Sequence, residues 1–190
     1  MLPKNRVVCS LSKLYKNMDT VKLINILGFQ AGWWSCVLGA QKGLPYMGPV
    51  VMGVFLIYHY FWGSRELKEF VLIIIFAVVG TLIDTGLALS GAFTYQGGYA
   101  PDVVLAPLWI TAMWCGFVAT VNHSMSWLKG RPFLAVMAGT IFGPLAYIAG
   151  EGFNAIIFNL PLLPSCVILA LVWGISIPVI YTVNRLLGLE

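Results

Sequence analysis

The sequence predicts an all-α, polytopic membrane protein: a six-transmembrane-helix bundle with both termini on the cytoplasmic side. Three observations predict it. Hydrophobic residues make up 59% of the chain and charged residues only 9%, where roughly a quarter would be charged in a soluble domain. Uncharged stretches cover 23–41, 43–64, 103–128, 132–150 and 152–184, and 70–90 carries only Asp84. Each approaches or exceeds the about 20 helical residues needed to cross a hydrocarbon core. Of the Lys and Arg residues, all but Lys42 fall in every second gap between these runs. That alternation is the positive-inside bias, and it places the second and fourth loops with the termini in the cytoplasm.

The chain begins with a basic arm, 1–20, holding Lys4, Arg6, Lys13 and Lys16. A solvated orientation signal beside anionic lipid accounts for this charge, and no nucleic-acid partner is implied. The arm is polar and the first apolar run is a full span, so no cleavable signal peptide is read, and a start near Met18 is an alternative. A single domain, 21–190, follows, with helices near 21–41, 44–62, 69–90, 104–127, 132–152 and 163–185.

Helix one carries Gly28 and Gly32 on one stripe. The loop Gly63–Lys68 is short, so helices two and three are antiparallel neighbours. The longer segment Ser90–Asp102 holds Tyr95 and Tyr99, which read first as an interfacial belt and second as a ligand-contacting lid. Pro132 suits the first turn of helix five, where its missing N–H leaves no orphan. Ala135, Gly139 and Gly143 recur every fourth residue on that helix, as do Ala146, Gly150 and Asn154. Small-residue stripes permit close helix contact, within the bundle or between protomers of a homo-oligomer. Pro144 predicts a kink and a freed carbonyl. Gly152–Pro164 is apolar but broken by Asn154, Asn159, Pro161 and Pro164, and reads either as interfacial or as re-entrant.

Function, if chemical, is expected on polar groups inside the membrane, because charge at mid-bilayer costs about 2.5–3.5 kcal/mol on insertion scales. Asp84 is read as a proton or cation carrier or general base, or else as a neutral carboxyl hydrogen-bonded to a neighbouring helix. Glu151 either approaches Asp84 or lies at the interface. Asn122-His123-Ser124, His59 and Asn25 lie at similar predicted depth and can form an inner polar cluster suited to acid–base chemistry, or can simply bridge helices. Gln30 either lines a cavity or joins helices. Trp33, Trp34, Trp109, Trp114 and Trp127 read as belt and packing residues. Two histidines are too few for a metal site, Asp84 being turns away, so neither metal nor cofactor is expected. Cys9, Cys36, Cys115 and Cys166 form no Cys-x-x-Cys pair and read first as buried thiols, with a meeting of Cys36 and Cys166 as the alternative. No nucleophile elbow, phosphate loop or dinucleotide fingerprint is present.

The combination Asn25, Gln30 and Trp33, then Asp84, then Asn122-His123-Ser124 with Trp127-Leu128, then Gly143-Pro144-Leu145-Ala146-Tyr147 resembles DUF2878, a family of small inner-membrane proteins of unknown function, over about residues 22–185. The resemblance implies a bacterial plasma-membrane protein, hints at membrane-lipid chemistry, and assigns no activity. The residues point first to a binding or transport protein for a small solute, lipid or proton, with membrane lipids as partners. The alternatives are an enzyme or accessory factor in lipid modification, and a structural subunit.

Overall fold

The computed structural model describes residues 4–100 and 102–189, with side chains from residue 20 onward. Six α-helices and a two-stranded ribbon follow in the order α1 (Lys4–Gln41), α2 (Met47–Tyr58), α3 (Leu67–Leu89), β1 (Phe93–Tyr95), α4 (Leu108–Val118), α5 (Pro132–Gly152), β2 (Ile156–Phe158) and α6 (Leu162–Leu186). A π-helical turn, His59–Ser64, continues α2, and a 3₁₀ turn, Ser126–Leu128, precedes α5. Helical backbone runs back through the basic segment; Cys9 and the basic side chains before residue 20 lie outside the described residues.

Among the described residues four helices are long and apolar enough to cross a membrane: Thr20–Gln41 of α1, and α3, α5 and α6. The expected count of six is not met on this measure. α2 has 12 residues and α4 has 11, short of the about 17–25 that span unaided. Each is cut short by a change of winding. α2 widens into the π turn, where Arg65 N–H donates to Tyr60 C=O five residues back. α4 unwinds after Val118 into successive turns over 119–125, where Asn122 bonds Glu69 and Asn184 and Ser124 bonds Asn25.

The chain is mostly helical, as expected, and a short ribbon adds to the helices. Segments read as loops pair antiparallel, with Phe93 opposite Phe158, Thr94 opposite Ile157 and Tyr95 opposite Ile156. Aromatic and β-branched residues suit a pleated, half-buried strand, and the Phe93 and Phe158 rings meet edge to face at 5.0 Å. Asn154, at φ 55°, turns the chain from α5 into β2, a conformation Asn tolerates better than most residues. Asn159 Nδ2 closes the far side by donating to Gly91 C=O and to Thr94 Oγ1.

α4 packs against α1, α2 and α3, while α5 and α6 form the closest helix pair. The glycine stripes explain the closeness. A Cβ on Gly139 would strike the Trp173 carbonyl, and one on Gly143 would strike the Trp173 ring. Gly28 and Gly32 make the same room for Phe55 and Met52 of α2. Both stripes are thus filled within the chain. α5 continues through Pro144. Outward faces are apolar, with Leu82, Phe142, Leu163 and Ile175 exposed.

Candidate functional site

Polar side chains gather in two layers, one at the ribbon end of the bundle and one at the end holding the α2–α3 turn. At the ribbon end Asp84, on α3, is fully buried. Trp114 Nε1 of α4 donates to its Oδ2 at 2.7 Å, Tyr95 Oη of β1 donates to its Oδ1 at 2.7 Å, and Tyr147 Oη of α5 donates to the same oxygen. Three converging donors suit a carboxylate, which offers about four acceptor sites. Burial, then Tyr147 and Asp84 nearby, push the Tyr95 phenol far above its usual range, so it stays an O–H donor. Gly80 is the enabling residue on α3: a Cβ there would enter the Trp114 indole.

Beside Asp84 lies a cavity of about 530 Å³, walled by α1, α4, α5 and α6. Its lining is aromatic, including Phe29, Trp33, Trp109, Trp114 and Trp173, with Asp84, Tyr147 and Gln30 among its few polar groups. Trp114 and Trp173 stack face to face, centroids 4.6 Å apart and planes within 3°. Trp34, Phe142 and Leu145, at the margin, are exposed, so the cavity opens onto the apolar outer surface. This volume falls within the about 300–1,000 Å³ of small-molecule pockets.

At the other end His59, Glu69 and His123 converge. His59 comes from the π turn, Glu69 from the first turn of α3, and His123 from the unwound stretch after α4. His123 Nε2 lies 3.2 Å from Glu69 Oε1 and 3.3 Å from Oε2. His59 Nε2 lies 3.6 Å from Oε1, too far for a hydrogen bond. The two imidazole rings meet edge to face, centroids 4.7 Å apart. One candidate ligand atom from each of the three residues lies within 4.8 Å of the others. Asn122 Nδ2 donates to Glu69 Oε1 at 3.3 Å and to Asn184 Oδ1 at 2.9 Å. Asn25 ties α1 to this layer: its Nδ2 donates to Ala119 C=O at 3.0 Å, and Ser124 Oγ donates to its Oδ1 at 2.7 Å.

Of the residues singled out in the sequence, Asn25, His59, Asn122 and His123 come together, the two histidines in direct contact. Asp84 stands apart in its own layer, and among the described residues no hydrogen bond joins the layers. Gln30 lies on the cavity wall, exposed. Glu151 is half-buried and its side chain bonds neither Asp84 nor any other described group. Glu69 was not foreseen, although a signal existed: positions 59 and 69 are symmetric about Ser64 in a short hairpin, and so lie at equal depth. Tyr95, Trp114 and Tyr147 were read as belt, packing or motif residues, and they are the partners of Asp84. Asn184 had no signal.

No curated protein matches the chain, and no solved structure does either. The family described as protein of unknown function (DUF2878) matches residues 22–179, which hold the Asp84 layer, the cavity and every member of the His–Glu cluster. The chain therefore belongs to the DUF2878 family.

Proposed function

We propose that this is a membrane-embedded binding protein for an apolar, lipid-like small molecule held between α1, α4, α5 and α6. One observation carries the reading: the aromatic cavity of about 530 Å³ that opens toward the apolar surface and has Asp84 in its wall. Stacked indoles favour a flat or unsaturated body. Asp84 already accepts three bonds within the protein, so the ligand is held chiefly by apolar and aromatic contact with the cavity wall. A gap of this size between apolar walls forfeits dispersion contacts when empty, which favours occupation by a lipid-like guest.

The same reading includes topology. Met47–Ser64 and Leu108–Leu128, counted with their π and 3₁₀ turns, reach the about 17–25 residues of a span. Six crossings with both termini cytoplasmic then agree with the alternation of basic loops, in a bacterial inner membrane. The test is native mass spectrometry of detergent-purified protein against Ala146→Trp, a substitution at an exposed position on the cavity wall. A stoichiometric apolar adduct on wild type and its loss from the variant are expected. An adduct retained by a folded Ala146→Trp, or none on wild type, would sink the proposal.

A further inference from the structure

We propose that His59, Glu69 and His123 bind one divalent transition-metal ion of the zinc class, at a site separate from the aromatic cavity. The donor set is right: two imidazole nitrogens and one carboxylate oxygen suit zinc and its first-row neighbours. So is the spacing. Bonds of about 2.0–2.1 Å in tetrahedral array put ligand atoms about 3.4 Å apart; the two His–Glu separations, 3.2 and 3.6 Å, bracket that value, and all three ligand atoms lie within 4.8 Å of one another.

Orphaned atoms make the stronger case. His59 is 4% exposed, yet its Nε2, facing the carboxylate, is buried without a hydrogen-bond partner. Asn122 Oδ1 is buried and unpartnered as well. The Asn122 amide cannot be turned round to cure this, because Nδ2 already faces two acceptors, Glu69 Oε1 and Asn184 Oδ1. Buried polar atoms are seldom left unmet, and exceptions point to an unseen water or ion. A proton shared between His123 and Glu69 would leave His59 Nε2 unsatisfied, whereas a cation among the three satisfies it.

The surroundings are those of a metal centre. Asn122 holds Glu69 Oε1 at 3.3 Å, the outer-shell support that orients a ligating carboxylate. A recess of about 10 Å³ bordered by His59, Ser64, Glu66 and Glu69 gives access, about enough for one water-sized guest. Gly63 leaves space for the ligand ring, since a Cβ there would sit 3.3 Å from His59 Nδ1. Three protein ligands leave a position open, as in sites that bind water or substrate rather than purely structural ones.

The test uses the full chain in detergent, stripped with chelator, desalted, and titrated with Co²⁺ and then Zn²⁺. One equivalent of Co²⁺ is expected to produce ligand-field absorption that Zn²⁺ abolishes, with one zinc per chain retained after desalting. Glu69→Gln and His123→Ala should each weaken binding by more than the about 10–100-fold typical of outer-shell changes, and Asn122→Ala by about that amount. Asp84→Asn should bind as wild type does. No cobalt spectrum and no retained zinc on wild type would overturn the proposal, as would uptake unchanged in the folded ligand variants. Should the variants fail to fold, the wild-type titration alone decides.

Discussion

The two polar layers differ in one respect that matters more than their composition. Around Asp84 three donors meet one carboxylate and all three are satisfied, the one unmet polar atom beside them among the described residues being Trp173 Nε1 on the cavity wall. Around Glu69 two imidazoles face one carboxylate and atoms are left over. A closed network in an apolar bundle fixes helices in place, because each member is costly to remove. An open one is an invitation to something not in the chain. The residue types that sequence reasoning treats alike, intramembrane polar groups, thus divide into fasteners and receptors according to whether their valences are filled.

The largest effect that would break this contrast is Asp84→Ala. It orphans three buried donors, each worth about 1–3 kcal/mol when unmet, so a loss of about 3 kcal/mol or more is expected in denaturant-titrated unfolding followed by tryptophan emission. A loss no larger than that of Asp84→Asn, which keeps an acceptor, would show that the layer is no fastener. Next comes the response to metal. Zinc at 100 times its dissociation constant should stabilise wild type by about 2.7 kcal/mol, read as a raised midpoint, and should leave Glu69→Gln unmoved. Gly80→Ala should cost about 2 kcal/mol, within the range for overpacking, by pushing Trp114 off Asp84. Zinc binding is then expected to survive, and its loss would mean that the layers are coupled. Smallest is Tyr95→Phe, which removes one of three donors for about 1 kcal/mol. A larger penalty would indicate that the phenol also holds the ribbon in register.

The long apolar helices were legible because length and charge-free composition determine them: α3, α5 and α6 begin and end within a few residues of expectation. The shortness of α2 and α4 was not, since His59–Ser64 and Ala119–Met125 lie inside uncharged runs that pass for helix, while their tertiary partners dictate otherwise. The ribbon escaped because its two strands, three residues each, lie more than sixty positions apart and neither alternates long enough to register. Equal predicted depth left a His59–His123 meeting open without deciding it, and the same reasoning applied to Glu69. It was missed because proximity to Arg65, Glu66 and Lys68 made it look like loop charge. Trp114 and Tyr147 were hidden by the converse habit of assigning aromatics to packing.

The π turn at His59–Ser64 carries a consequence for how the chain tolerates length change. Such a turn holds one residue more than an α-helical turn, so excision of a single residue between His59 and Leu67 would tighten the end of α2 and shorten the connection from His59 to Glu69 by one residue. His59 would swing away from Glu69 while α2 kept its composition and hydropathy. A deletion invisible to every measure of membrane propensity would uncouple the imidazole from its partners, and the spacing between positions 59 and 69 is therefore as much a part of the centre as the side chains themselves.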